Sequence, residues 1–202
     1  MINLNDIPDN KIYFTSDTHF GQERTLELSK RPFTSVEHMD RTMMVNWNTT
    51  VGKDDIVIHL GDFGNYEMAE KLNGRIYLIL GNYERKDINE AKITTDDLTN
   101  KYGFKGIGGL GADRTVYARY NDIVFAMMHE PENYDKKCFN LFGHIHGRQM
   151  VKRFGLDVGV DCHYFKPISI KDVLFYKTAI EKYYDNNVFM SGEYELERKI
   201  KI

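Results

Sequence analysis

Five short apolar segments, each long enough for one buried β-strand, recur along the first three quarters of the chain. The stretches between them are long enough for helices or loops. Strands that alternate with helices are typical of layered α/β folds, and the closer spacing of segments between residues 104 and 154 favours antiparallel neighbours as well. We therefore expect two mixed β-sheets flanked by helices. The five segments are KIYFTS (11–16), DIVIHL (55–60), RIYLIL (75–80), DIVFAMM (122–128) and FNLF (139–142).

Apolar residues at helical spacing predict a long helix between the first two strand segments. Thr34 and Glu37 precede this pattern and have the three-residue spacing of a capping box. A later helix is expected to begin after Ser169 and to direct its own apolar stripe toward the core. The first stripe contains Val36, Met39, Met43, Trp47 and Val51, and the second contains Val173, Leu174, Ile180 and Tyr183.

The remaining elements have weaker patterns. No GxGxxG or Walker motif occurs, so the glycine-rich loop at 103–111 is expected to form tight turns rather than to hold a nucleotide. The C-terminal GEYELERKIKI alternates apolar and charged residues, which predicts an edge strand. Further helices are expected at 66–73, 87–101 and 170–185, and further strands in RTVYARY (114–120) and QMVKRF.

Composition places these elements in one soluble domain. The chain has 202 residues, of which 42% are apolar and 28% charged, and no run approaches the length of about 18 apolar residues that a membrane span needs. The polar N-terminus shows no secretory signal, and two cysteines are too few for a disulfide framework, so we expect a cytoplasmic protein. A net charge of −3 argues against stable binding of duplex nucleic acid.

Residues that commonly bind metals follow all five strand segments. Because ligand sites in α/β sheets form outside the carboxyl ends of the strands, we expect these side chains to meet at one edge. Two carboxylates, one amide and four imidazoles make a mixed oxygen and nitrogen set that suits Mn, Fe, Zn or Co better than Ca. The residues are Asp17, His19, Asp62, Asn82, His129, His144 and His146.

The chemistry that such a set supports is hydrolysis by paired metal ions. Two ions about 3.5–4 Å apart stabilise the attacking and leaving oxygens and generate hydroxide near neutral pH. The carboxylate of Asp62 has two oxygens with which it could span that gap. Phosphoesterases use this chemistry, and so do some peptidases and amidases, so the residues alone leave the substrate class open.

The order of the motifs narrows the choice. The chain carries D-x-H, G-D, G-N, a single His after a strand and then G-H-x-H, a pattern that chance produces rarely in a chain with 16 Gly and 7 His. This set resembles the calcineurin-like metallophosphoesterase superfamily from residue 12 to about 161. DTHFGQ, RPFTSVEHMDRTMMVNWN and HLGDFGN are similar to a compact subgroup of bacterial and phage-type phosphoesterases. The resemblance implies a single metallophosphoesterase domain over 1–202, built as a four-layer αββα sandwich.

The same resemblance assigns roles and a cofactor. It implies two divalent transition-metal ions, with Mn²⁺ favoured and Fe, Zn, Co or Ni as alternatives, and a metal-bound hydroxide that attacks phosphorus in line. The expected substrate is a small phosphoester or a nucleotide-like ester, and the expected activity is that of a phosphodiesterase. A non-catalytic metal-binding scaffold of the same fold is the alternative, followed by a nuclease. Asp17, His19 and His146 would hold one ion, Asn82, His129 and His144 the other, and Asp62 would bridge them.

One position departs from the family pattern. Members of the superfamily usually have His after the G-N motif, where it helps to position phosphate and to protonate the leaving oxygen, and this chain has Tyr83. A phenol is a weaker acid than an imidazolium, so we expect slower turnover of esters with poor leaving groups. The expected catalytic residues are Asp62, Asn82, Tyr83 and His129.

Several other side chains are candidates for substrate contacts or supporting roles. Each candidate arginine is equally compatible with a phosphate clamp and with an exposed surface charge. Glu130 would orient the imidazole of His129 or be an exposed acid, and His59 is expected in the core or behind the ligands. The candidate substrate contacts are Arg85, Arg148, Arg24 and, if its loop covers the site, His163.

Overall fold

The structure, a computed structural model, describes residues 1–185. These residues form eleven strands, and all five predicted core segments are among them. The strands are β1 (Ile2–Asn3), β2 (Ile12–Thr15), β3 (Ile56–His59), β4 (Arg75–Ile79), β5 (Gly106–Gly108), β6 (Val116–Tyr120), β7 (Ile123–Met127), β8 (Phe139–Phe142), β9 (Val151–Lys152), β10 (Gly155–Asp157) and β11 (Ile168–Ser169).

The strands build two mixed sheets, as expected. The first has the order β11-β2-β3-β4-β5, and the second has the order β1-β6-β7-β8-β10-β9. Within the first sheet β2, β3 and β4 are parallel, and within the second β7 and β8 are parallel. The carboxyl ends of the core strands in each sheet therefore lie at one edge of that sheet, which is the arrangement that a shared site requires.

The core lies between the two sheets. Phe14 and Ile58 of the first sheet belong to the same buried apolar cluster as Phe125 and Leu141 of the second. Full burial of one such side chain contributes about 1.5–3 kcal/mol to stability. Packing between the sheets therefore holds the two strand edges in a fixed relation to each other.

Helix α2 (Val36–Thr50) covers the outer face of the first sheet and confirms the predicted apolar stripe. Met39, Met43 and Trp47 are buried on it in one cluster with side chains of β3 and β4. The N-cap is Ser35, whose hydroxyl accepts the backbone N–H of His38, so the predicted start at Thr34 is wrong by one residue. The helices are α1 (Glu23–Leu28), α2 (Val36–Thr50), α3 (Asn82–Asn89) and α4 (Ile170–Tyr183).

Helix α4 confirms the predicted final helix, and Ser169 caps it. It contacts β2, β10 and β11, and its buried residues Val173 and Ile180 join the cluster between the sheets. The helix therefore packs along the side of the sandwich. Tyr183 is 70% exposed, so its predicted core position is wrong.

Three other predictions need correction or cannot be compared. The helix predicted at 87–101 is instead α3, which begins at Asn82, and a separate helical turn at Asp97–Lys101. The segment predicted as a helix at 66–73 forms a 3₁₀ helix, Tyr66–Lys71. GEYELERKIKI lies outside the described residues. Within residues 1–185, no helix has the combined length and apolar character that crossing a membrane demands.

Candidate metal centre

The seven predicted ligand residues come together where the strands end. Asp17 and His19 follow β2, Asp62 follows β3, Asn82 opens α3 after β4, and the histidines follow β7 and β8. Two groups result, and within each group the potential ligand atoms lie within 4.8 Å of one another. These groups are Asp17, His19 and His146, and Asp62, His129 and His144.

Left-handed backbone geometry marks most of these positions. Five of the seven residues have a positive φ although none of them is glycine. This conformation costs such residues about 1–3 kcal/mol each and persists where the surrounding structure enforces it, often at functional sites. The residues and angles are Asp17 (57°), His19 (50°), Asp62 (57°), His144 (71°) and His146 (48°).

Two glycines allow the carboxylates to lie against the neighbouring backbone. A Cβ atom on Gly143 would overlap Oδ2 of Asp17 and Oγ of Ser16. A Cβ atom on Gly81 would overlap Oδ1 of Asp62. The glycines of the G-H-x-H and G-N motifs are therefore required by close approach to the two carboxylates.

In the first group, outer partners direct the imidazoles toward Asp17. The Nδ1–H of His19 donates to Oε1 of Gln22 over 2.7 Å, and that of His146 donates to Oδ2 of Asp161 over 3.0 Å. Each ring consequently presents Nε2, at 3.8 Å and 4.0 Å respectively from Oδ1 of Asp17. Such hydrogen bonds fix the ring orientation that a metal ligand needs.

Two buried atoms of this group lack hydrogen-bond partners within the described part of the chain. They are Oδ1 of Asp17 and Nε2 of His19, and both side chains are buried. Burial alone would raise the pKa of Asp17, but the imidazoles of His19, His129 and His146 hold it well below its usual range. A buried, ionised oxygen without a partner is costly. A bound cation would satisfy both atoms.

In the second group, acceptor atoms face one another. His129 donates its Nδ1–H to the carbonyl of Leu60 over 2.8 Å, so Nε2 points at Oδ1 of Asn82 at 3.0 Å. Nδ1 of His144 lies 3.1 Å from the same amide oxygen and 3.3 Å from Nε2 of His129. Converging acceptors need a proton or a cation between them. Burial lowers the pKa of His129, but the hydrogen bond and charge of Asp62 and the charge of Asp17 raise it to about 9.

Asp62 lies between the two groups. Its Oδ1 accepts the backbone N–H of Tyr83 over 3.0 Å. Its Oδ2 is 3.6 Å from Nε2 of His19 and 3.3 Å from Nε2 of His129. A single carboxylate oxygen therefore faces both groups, whereas the sequence had led us to expect that the two oxygens would divide between them.

Glu84 holds this carboxylate in place, and our sequence analysis missed it. Its side chain is fully buried and accepts the backbone N–H groups of Gly81, Asp62 and Phe63, each over 2.8 Å. Burial and the negative charge of Asp62 raise its pKa, while the backbone donors oppose this rise. The three-residue spacing from Gly81 to Glu84 before a helix is the local signal that could have identified it.

We expect Glu84→Gln to destabilise the fold and to loosen Asp62. Glutamine offers one amide oxygen for three N–H groups, and its NH₂ group would face a backbone donor. Loss of charged hydrogen bonds of this kind costs about 1.5–3 kcal/mol each, so the free energy of unfolding should fall by at least that amount. Urea denaturation measures it, with the exposed Glu67→Gln as the matched control. Equal stability of the two variants would contradict this role.

A buried ion pair joins the loops of Asp17 and His146. Arg31 donates through Nε and Nη2 to both carboxylate oxygens of Asp161, each over 2.8 Å. Its guanidinium also donates to the backbone carbonyls of Asp17 and Thr18. Arg31 is 5% exposed, so its charge is buried and paired within the fold. The pair instead orients His146 through Asp161.

A cavity of about 700 Å³ opens onto the candidate ligands. His19, Asp62 and Asn82 line it together with the ring of Tyr83, which contacts His19 edge-on with ring centroids 5.1 Å apart. Of the predicted substrate contacts, Arg24 and Arg148 line this cavity. The structure therefore brings Tyr83 and these two arginines beside the seven candidate ligands.

Arg85 and Glu130 lie elsewhere and pair with each other. The Arg85 guanidinium bonds the carboxylate of Glu130, which also lies 3.6 Å from Arg114. Glu130 is buried, and it is the carbonyl of Leu60 that orients His129. Both expected alternatives for Glu130 are thus wrong. Arg85, predicted to contact substrate, is paired with Glu130 and does not line the cavity.

His163 and His59 are structural in this fold. His163, predicted as a substrate contact if its loop covers the site, is instead buried, bonds the carbonyl of Asp157 over 2.7 Å and does not line the cavity. His59 confirms its predicted place behind the ligands: Gly61 N–H donates to Nδ1, and Nε2 lies 3.0 Å from Oγ1 of Thr18. Burial lowers the pKa of His59 to about 3, which keeps the ring neutral.

Comparison with known proteins supports the fold and names no activity. No family model matches the chain. A crystal structure of the protein of unknown function AQ665 from Aquifex aeolicus superposes with a TM-score of 0.61 and 21% identity, over 81% of this chain and 97% of that one. The two proteins therefore share the two-sheet α/β fold.

Relatives by sequence come from an archaeon and a phage. Uncharacterized protein MJ1445 of Methanocaldococcus jannaschii is 29% identical over 178 residues, which cover 79% of this chain and 87% of that protein. Gene 66 protein of Mycobacterium phage L5 is 36% identical over 81 residues, or 36% of this chain and 39% of that protein. The names of these relatives give no substrate.

Proposed function

We propose that the protein is a phosphodiesterase of the metallophosphoesterase type, with two divalent transition-metal ions in the site built by the seven candidate ligands. The observation that carries the proposal is the arrangement around Asp62. One carboxylate oxygen faces two groups of converging acceptors, and two buried atoms in the first group have no partner among residues 1–185. Paired cations, with Mn²⁺ favoured, would satisfy this geometry.

The donor set fits such ions. Three imidazoles present Nε2 and His144 presents Nδ1, together with two carboxylates and one amide oxygen. Mixed oxygen and nitrogen ligands suit Mn, Fe, Zn, Co or Ni. When bound, two such ions lower the pKa of water and neutralise charge on a phosphoryl group.

The chain's own groups then bind and orient the ester. Asp17 and Asp62 supply two negative charges against four on the ions, so the site keeps a positive charge that attracts a phosphate oxyanion. Asn82 and His129 position the phosphoryl group of the ester, because each follows a strand end and their side chains lie 3.0 Å apart. The hydroxyl of Tyr83 donates a hydrogen bond to a phosphoryl or leaving oxygen in the cavity. Arg24 and Arg148 contribute positive charge at the cavity wall.

Metal content and hydrolysis test the proposal together. The chain, loaded with Mn²⁺, should contain about two ions by mass spectrometry and should hydrolyse bis(p-nitrophenyl) phosphate, and a panel of mono-, di- and cyclic phosphoesters then identifies the substrate class. Two ions without turnover on the whole panel would instead identify a metal-binding scaffold. Cleavage of circular single-stranded DNA at low salt would identify a nuclease.

Metal binding should release protons near neutral pH. With its pKa raised to about 9, His129 is protonated in the metal-free protein at pH 7.5, and only the neutral ring binds metal. Affinity for Mn²⁺ should therefore rise with pH from about 6 toward 9, and activity should fall below about pH 6. Calorimetric titration in buffers with different ionisation enthalpies counts the protons, with the exposed His38→Gln as control. An affinity that is independent of pH would contradict this ligand set.

A further inference from the structure

The cavity carries more positive charge than a single phosphodiester requires. Four basic side chains line it, and Asp62 is the one acidic side chain among its described lining residues. The chain as a whole has 30 acidic and 27 basic residues, so this local excess runs against its composition. The four are Arg24, Lys30, Lys86 and Arg148.

Three separate segments of the chain carry these basic side chains. Arg24 is on α1 and Lys30 follows its end, Lys86 is on α3, and Arg148 follows His146 in the loop after β8. Lys86 lies 4.0 Å from Glu90, a weak surface pair. Arg24, Lys30 and Arg148 form no ion pair within residues 1–185. Their mutual repulsion in one cavity would be relieved by a bound polyanion.

The charge balance at the candidate metal centre leaves these side chains free for a second anionic group. Two divalent ions, the carboxylates of Asp17 and Asp62 and a nucleophile of one negative charge leave about one positive charge, which a single phosphodiester neutralises. Further negative charge on the substrate could therefore pair with the basic side chains of the cavity.

The size and lining of the cavity match a ligand larger than phosphate. Its volume of about 700 Å³ falls within the range of sites that hold molecules of nucleotide size. Leu28, which is 52% exposed, and Ile145 add apolar surface beside the charges. Such a lining accommodates an organic group such as a nucleoside next to the phosphates.

We infer that the substrate is a nucleotide ester with a second phosphate adjacent to the one that reacts, and that Arg24 and Lys30 bind this second phosphate. The inference rests on the proposed function for the site of reaction. Such a substrate carries two consecutive phosphates, whereas the phosphates of a nucleic acid strand are separated by sugars. Hydrogen bonds from charged donors to phosphate discriminate by about 10–100-fold.

Equilibrium binding tests this inference independently of turnover. Calorimetry on the Mn²⁺-saturated protein at low salt should give a dissociation constant at least tenfold lower for α,β-methylene ADP than for AMP. The double variant Arg24→Gln/Lys30→Gln should bring this ratio close to one. Both side chains are exposed, so the variant should fold, and Lys53→Gln, on the loop before β3, should keep the ratio.

Three results would overturn the assignment. They are equal affinities for the two nucleotides in the unmodified protein, an unchanged ratio in the double variant, or equally tight binding of the 5′-phosphorylated dinucleotide pTpT. Failure of the proposed function gives a different result in a different measurement. The unmodified protein would then hydrolyse no phosphoester, whatever the ratio of its affinities for the two nucleotides.

Discussion

Asp62→Asn should abolish phosphodiester hydrolysis and empty both metal positions. The substitution keeps an oxygen that can accept the Tyr83 N–H, but it places an uncharged NH₂ group at the position of Oδ2, between Nε2 of His19 and Nε2 of His129. Loss of an outer partner of a metal ligand costs about 10–100-fold in affinity or activity, and loss of a shared ligand should cost more than 100-fold. Metal analysis and hydrolysis of bis(p-nitrophenyl) phosphate measure both effects.

The variant is suited to this test because it should fold. Asp62 has a φ of 57°, and asparagine tolerates this left-handed geometry better than most residues. Asp54→Asn, on the exposed loop at the opposite end of β3, is the matched control and should retain both ions. His129→Ala should empty mainly the second position, which leaves about one ion per chain. Retained hydrolysis in both site variants would exclude the assigned centre.

The positions of the seven candidate ligands could be predicted because each follows a strand that its own sequence identifies. DIVIHL and RIYLIL are apolar enough to be read as buried parallel strands, and parallel neighbours end at one edge. The sequence alone therefore predicts that Asp62 and Asn82 meet, and both line the same cavity. The glycines before His144 and Asn82 are part of the same local signal, since the close approach of Asp17 and Asp62 requires them.

The residues that orient the ligands could not be predicted in this way. Arg31 and Asp161 are 130 positions apart, and neither lies in a pattern that indicates a contact. Arg85 and His163 show the opposite error. Arg85 stands three residues after Asn82 in the sequence and His163 two residues after Asp161, but their side chains bond Glu130 and the carbonyl of Asp157, outside the cavity lining. Adjacency in sequence does not determine the direction of a side chain.

Hydrogen bonds within the candidate site determine where α3 begins. Helix propensity placed this helix at 87–101, yet it begins at Asn82, because Glu84 accepts the Gly81 N–H and Asp62 accepts the Tyr83 N–H. The bond accepted by Asp62 is long-range and the bond accepted by Glu84 is local, and together they extend the helix toward the candidate ligands. A local pattern contains no information about the acceptor that Asp62 provides.

Tyr83→His should raise turnover of phosphodiesters with alkyl leaving groups by about 10–100-fold. General acid catalysis typically contributes about 10²–10⁴-fold, and an imidazolium with a pKa near 6.5 donates a proton far more readily at pH 7 than a phenol does. The backbone N–H at this position, which bonds Asp62, is unchanged by the substitution. Hydrolysis of p-nitrophenyl esters should change little, because that leaving group departs without a proton.

A comparison of alkyl and aryl leaving groups distinguishes a role of Tyr83 in acid catalysis from a role in packing against His19. Tyr83→Phe keeps a ring against His19 but removes the hydroxyl. It should therefore hydrolyse alkyl esters more slowly than the unmodified protein and leave the edge-on contact with His19 intact. Tyr183→His, at an exposed position on α4, controls for the added imidazole. If Tyr83→His slowed alkyl and aryl esters equally, the ring would serve mainly to hold His19. If Tyr83→His changed neither rate, the phenol would already suffice as the acid, and the expected gain from an imidazole would be wrong.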